Sequence, residues 1–347
     1  MLFSWFAEHR RQNLLASQPF PNEWLEYLRA DVPHYEYLSL GEQKSLRDHV
    51  QIFVAEKNWE ALGGLTMTEE IQVSIAAQAC LLLIGLEKHD FYPNVESILV
   101  YPSGYKAKDE QLVAAGVIQV GASFRLGEAW GRGPVVLSWS DALRGGRDPA
   151  DGNNVVLHEF AHKLDMQKDG SADGVPALPG NQDQYDEWAD VMSREYDLLV
   201  AASQYGRADL LDEYGATNPA EFFAVATETF FEKPLPMRER HSRLYDVLKG
   251  YYRQDTAARV EAAAQVRQAE TKVPEPADLP AADGASPNRA PHAARPAPHA
   301  LDASDPDADT RTDLPGDQRY DDVAAERVSS YLDRVRVTPS GEGPGLS

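Results

Sequence analysis

Sulfur chemistry is almost absent from this sequence: Cys80 is the single cysteine among 347 residues. An intrachain disulfide is therefore impossible, and metal sites built on paired cysteines are excluded with it. A lone thiol also fits a reducing compartment, so a cytoplasmic location is expected. Long hydrophobic runs are missing too. The longest, residues 71–86, contains Gln72, Ser74 and Gln78 and reads as a buried core helix, not a membrane span. The apolar start MLFSWFA is about half the length of a signal-peptide core and lies ahead of the basic residues rather than behind them. Cations are scarce as well, with 33 Lys and Arg against 55 Asp and Glu and a formal net charge of −22. Phosphate backbones and anionic membrane surfaces repel such a chain, so neither nucleic acid nor membrane is an expected partner.

What is present is a globular composition, 43% apolar and 9% aromatic. Residues 1–255 carry the hydrophobes of a folded domain. Residues 256–318 read as a disordered linker, because between Pro274 and Pro315 the chain is dominated by Pro, Ala and Asp and cannot bury enough apolar surface to offset chain entropy. Residues 319–347 form a tail in which Tyr320, Val323, Val328, Tyr331 and Val335 fall at roughly helical spacing, predicting a short amphipathic helix. Within the body, helices are expected at residues 22–28 and 40–59, and in the run after Thr66 and Glu69, which offer a capping box. Strands are expected at residues 97–101, 117–124 and 135–139. Helices follow at residues 154–166, 183–202 and 219–231. Helices, a small sheet, then helices again predict the α+β class.

The segment that carries chemistry is NNVVLHEFAHKLD, residues 153–165. On a helix, His158 and His162 lie one turn apart on one face and can share a zinc ion. Glu159 sits at the edge of that face. There it can take the proton of a water whose pKa zinc has lowered, as that water attacks a carbonyl. Val155, Val156, Leu157, Phe160 and Leu164 surround this polar trio, and burying it is costly unless a metal coordinates it. The pattern therefore predicts a zinc-dependent hydrolase.

Catalytic zinc usually takes a third protein ligand. The metzincin continuation needs a glycine where this chain has Asp165 and a histidine where it has Lys168, so that solution is excluded. A carboxylate from a separate helix remains. Glu221, in PAEFFAVATE, opens an apolar helix and is favoured as the ligand; the other reading is a charge at a helix N-terminus. Glu228, seven residues on and sharing the face, is the runner-up or a group behind the ligands. Asp165 either orients a ligand imidazole or is an ordinary polar residue at a helix end. Cys80 reads as inert packing. Residues 133–139, GPVVLSW, are a candidate edge strand for pairing with an extended substrate, or else an internal or opposite-edge strand.

The stretches HEFAHKLD (158–165) and YGATNPAEFFA (214–224) together resemble the Mlc titration factor A family of bacterial metallopeptidases, and the catalytic domain of anthrax lethal factor shows a similar pair of motifs. The resemblance covers most of residues 1–255 and not the Pro/Ala/Asp-rich remainder. It implies a zincin-like fold, helix-rich with a small mixed sheet. It implies zinc held by His158, His162 and Glu221, with Glu159 as general base. Tyr214, otherwise a core or turn aromatic, would stabilise the oxyanion. It further implies a peptide or protein substrate, aminopeptidase-like activity, and regulation of glucose uptake by binding the transcriptional repressor Mlc. The competing expectation is a non-catalytic regulator that sequesters a transcription factor around a structural zinc. Glu159 speaks against it, because a structural site needs ligands and no base.

Overall fold

Helix start signals account for most of the elements in the computed structural model, which describes residues 2–86, 90–103, 133–178 and 180–271. After α1 (Leu2–Ser17) and α2 (Asn22–Asp31), helix α3 (Leu40–Glu56) opens on a reciprocal cap. Ser39 Oγ accepts from the Glu42 N–H, and the Glu42 carboxylate accepts from the Ser39 N–H at 2.9 Å. Helix α4 (Glu69–Leu81) is capped by Thr68, whose Oγ1 accepts from the Ile71 N–H at 3.3 Å. The expected Thr66–Glu69 box is thus displaced by two residues, because Thr68 is the last extended residue before the helix.

Helix α4 is the buried core helix its composition predicts, and its buried side-chain donors find acceptors. Ser74 Oγ donates to Asp31 Oδ2 at 2.7 Å, and Gln78 Nε2 donates to the Ala142 carbonyl at 3.2 Å. Cys80 is fully buried there, and burial pushes its thiol well up, leaving it inert as expected.

Three strands, β1 (Asn58–Ala61), β2 (Ser97–Tyr101) and β3 (Val135–Ser138), pair in the order β1-β2-β3. Both ladders are parallel, with Trp59 opposite Ile98 and Val100 opposite Leu137. An antiparallel member, which a mixed sheet requires, is not among the described residues. The helix expected to run to Trp59 stops at Glu56. Lys57 turns extended, and the Asn58 N–H bonds the Glu96 carbonyl, so pairing with β2 captures the segment.

The chain continues through α5 (Trp139–Arg147), α6 (Val155–Asp165), α7 (Gln182–Gln204), a 3-10 turn (Glu213–Ala216) and α8 (Pro219–Glu232). It then forms α9 (Pro234–Arg240), α10 (Ser242–Tyr252) and α11 (Thr256–Thr271). Together these make a helix-rich α+β fold of the zincin-like kind. Helix α11 occupies the first part of the segment read as disordered linker. Its Ala-rich sequence favours helix, and Thr256 and Ala257 are buried against the body. The strand read at residues 117–124, the linker beyond residue 271 and the tail helix lie outside the described residues. Among the described residues no helix is long and apolar enough to cross a membrane.

Helix α6 lies at the centre, packed against α4, α5, α8 and β3. Phe160 drives its apolar side into the core, edge-to-face with Tyr92 at 4.7 Å and Phe53 at 5.7 Å between centroids. Tyr92 ends a run of three non-glycine residues in the left-handed region, Asp90, Phe91 and Tyr92. This costly conformation is held from outside. Arg11 of α1 pairs with Asp90 at 2.8 Å and lies over the Phe91 ring, while Lys57 Nζ donates to the carbonyls of Tyr92 and Val95.

Candidate metal centre

Helix α6 begins at Asn154, whose Oδ1 accepts from the N–H groups of Val156 and Leu157 at 3.1 and 3.0 Å. Helix α8 begins in the same way at Asn218, whose Oδ1 accepts from Ala220 and Glu221, with Pro219 in the first turn. These two caps set the phase of the helices, which pack directly on each other. The result is a triangle of ligand-type atoms. His158 Nε2 and Glu221 Oε2 are 3.0 Å apart, His162 Nε2 and Glu221 Oε2 3.2 Å, and the two Nε2 atoms 3.2 Å.

The triangle tests whether the residues fit a metal. Donors bonded to zinc at about 2.0–2.1 Å in a tetrahedron stand about 3.3 Å apart along each edge, close to all three observed separations. Two nearly buried imidazole nitrogens facing one another beside a carboxylate oxygen form a donor set suited to zinc. His158, His162 and Glu221 are also the one such cluster of metal-ligating groups among the described residues.

The electrostatics favour the carboxylate of the triangle as an anionic ligand. Burial alone would raise the Glu221 carboxyl, but hydrogen bonds to His158 and His162 outweigh it and hold the group well below the ordinary range. Burial would lower His158; its bonds to Glu221 and Glu228 outweigh that and lift the imidazole to about 10, so a metal that binds Nε2 has to displace a proton there. These paired sites keep the anionic carboxylate that a divalent cation needs.

Glu159 lies half-buried beside the triangle, and its charge is felt by Tyr214, His158 and Lys163. Tyr214 is positioned by the cap of the 3-10 turn, where Asp212 Oδ1 accepts from its N–H at 2.8 Å. Its ring centroid is 5.9 Å from that of His158. Burial, then the charges of Glu221 and Glu159, raise its phenol, so it is a hydrogen-bond donor at neutral pH. The structure thus brings all five sequence-predicted site residues together.

Two neighbours behave differently from their simplest reading. Asp165 does not turn to an imidazole: its Oδ2 accepts from the Gly174 N–H at 2.8 Å, fastening the loop after α6. The group behind His158 is Glu228, with Oε1 2.7 Å from Nδ1. Lys163, unremarked in the sequence, is 7% exposed and donates from Nζ to the Gly133 carbonyl at 3.3 Å, tying α6 to the lead-in of β3. A lysine amid the apolar residues after HExxH was the only sequence signal for it. β3 is an edge of the sheet among the described residues.

Residues 6–253 match the family model of glucose-regulated metallo-peptidase M90. An uncharacterized protein of Synechocystis is 37% identical over 243 residues, covering 70% of this chain and 87% of the relative. Mlc titration factor A of Serratia proteamaculans is 33% identical over 251 residues, covering 69% and 89%. The protein of that name from Klebsiella pneumoniae is 35% identical over 238 residues, covering 66% and 85%. With this match spanning the body and a zinc-fitting triangle at its centre, the chain belongs to the glucose-regulated metallo-peptidase M90 family and is a zinc-dependent peptidase.

Proposed function

We propose that His158, His162 and Glu221 hold the zinc ion and that Glu159 and Tyr214 carry out the hydrolysis of a peptide bond beside it. The observation behind this reading is the triangle of Nε2, Nε2 and Oε2 atoms with 3.0–3.2 Å sides. Bound there, zinc supplies the positive charge that acidifies a water and polarises the substrate carbonyl. The Glu159 carboxylate takes the proton of the attacking water and passes it to the departing amine. The Tyr214 phenol donates a hydrogen bond to the carbonyl oxygen as that atom gains charge. Water and the peptide bond become a carboxylic acid and an amine. An extended substrate pairs along β3, residues 135–138, next to α6.

The test is Glu159→Gln. The variant keeps stoichiometric zinc and its fold but loses about 10²–10⁴-fold in peptide hydrolysis. A variant that cleaves a peptide panel at the wild-type rate removes Glu159 from the mechanism, whereas a zinc-loaded wild type that cleaves none of the panel favours the non-catalytic regulator.

The partner belongs to the same proposal. Several relatives bear the name Mlc titration factor A, and a repressor of that kind is the protein partner we infer here, in a cytoplasmic setting. The net charge of −22 supports a protein over nucleic acid. An aminopeptidase-like preference comes with the resemblance of the two motifs. We divide the chain into a catalytic body of residues 1–255, a linker of residues 256–318 into which α11 extends the body, and a tail of residues 319–347. The family match ending at residue 253 supports that division.

A further inference from the structure

Helix α8 presents three glutamates along one side, and only Glu221 belongs to the triangle. Glu228 follows two turns later and is 5% exposed. Its Oε1 is 2.7 Å from His158 Nδ1, and its Oε2 accepts from the backbone N–H of Asn154. The carboxylate thus holds the cap residue of α6 and an imidazole four residues further along the same helix. His162 has no counterpart: its Nδ1 is buried without a hydrogen-bond partner among the described residues.

We propose that Glu228 is a positioning residue of the metal centre, accepting the Nδ1 proton of His158 so that the imidazole turns its Nε2 lone pair toward Glu221 and His162. An imidazole with a free choice of tautomer spends part of its time with the proton on the nitrogen that must bind metal. An acceptor oxygen fixed at Nδ1 disfavours that state and makes Nε2 a better donor. Both oxygens of Glu228 accept from N–H groups, so glutamine cannot replace it, because the amide NH2 must then face one of the two donors. The inference rests on His158 being a zinc ligand.

Glu232, one turn beyond, provides the control. It is 4% exposed and accepts from the Asn153 N–H at 2.9 Å, but it does not touch an imidazole. Burial pushes its carboxyl well above the ordinary range, so glutamine is close to it in both shape and charge.

The experiment measures zinc affinity of the full chain by competition with a chromophoric chelator, alongside melting of the chelator-treated protein. Glu228→Gln is expected to weaken zinc binding by about 10–100-fold. Glu232→Gln is expected to stay within about twofold of wild type, with comparable melting of the two variants. Wild-type affinity in Glu228→Gln overturns the proposal, as does an equal loss in Glu232→Gln, which would mark general packing. His158→Ala separates the premise: if it binds zinc as wild type does, the ligand assignment fails and the proposal falls with it. A measurement without substitution guards against a variant that fails to fold. In ¹⁵N spectra of the zinc-loaded wild-type protein, His158 is expected to carry its proton on Nδ1 with zinc on Nε2, and the reverse arrangement overturns the proposal.

Discussion

Replacing Gly174 by alanine should loosen the metal centre from a distance. Gly174 has φ +81°, and a Cβ there would meet the Pro219 carbonyl oxygen at 2.5 Å. Its N–H is held by Asp165 of α6, and its carbonyl accepts from the Trp188 indole of α7 at 3.0 Å, so the residue cannot swing aside. The left-handed conformation costs alanine about 1–2 kcal/mol. The collision adds about 1–3 kcal/mol, since Pro219 must retreat by about half an ångström within a packed interior. A loss of about 3 kcal/mol corresponds to a fall in Tm of about 6–12 °C for a body of this size. Pro219 is two residues before Glu221, so zinc affinity should fall as well. Scanning calorimetry with and without chelator measures both. Gly206→Ala is the control, because Gly206 has φ +60° with nothing within 4 Å of its Cβ position and loses only the backbone part. If Gly174→Ala melts no lower than Gly206→Ala, the account of the Gly174–Pro219 contact is wrong.

Two further outcomes are expected. Phe160→Ala empties a fully buried site between Tyr92 and Phe53 and should cost about 3–5 kcal/mol in denaturant unfolding, whereas Leu40→Ala, at a position 84% exposed, should stay within about 0.5 kcal/mol. His241 links Glu195 of α7 at 2.8 Å with Asp209 at 3.1 Å, and although burial opposes it, these bonds raise the imidazole to about 9. Its contribution, about 1–2 kcal/mol, is therefore full below pH ~6.5 and lost as pH rises through ~9. Unfolding free energies measured from pH 6 to 10 should show that decline in wild type and a flatter profile in His241→Gln; parallel profiles would refute it.

The site was more legible in the sequence than the fold around it. His158, Glu159 and His162 announce themselves because four-residue spacing on a helix is a local property. Glu221 was legible because a carboxylate opening so apolar a helix needs a reason. The role of Glu228 could be narrowed but not decided, since ligand and supporting acceptor share one helical face and only the distance to Nδ1 separates them. Asp165 was ambiguous for the same reason, and its partner lies in a loop with no pattern of its own. Strand β1 was hidden because Asn58–Ala61 continues the composition of the helix before it, and what makes it a strand is pairing with β2, a non-local event. The left-handed run at residues 90–92 has no sequence signature, lacking the glycines that usually mark such backbone.

Helix α8 is buried along nearly its whole length, and one of its faces carries Glu221, Glu228 and Glu232. Such a part resists piecemeal revision, because Glu221 faces both imidazoles while Glu228 holds an imidazole and the cap of α6 at once. Residues 205–213, ahead of Tyr214, are mostly exposed and carry no such double duty, so substitutions there put less of the scaffold at risk. In this chain the same buried helix thus serves both the chemistry and the framework, and the freedom to change lies in the exposed segments around it.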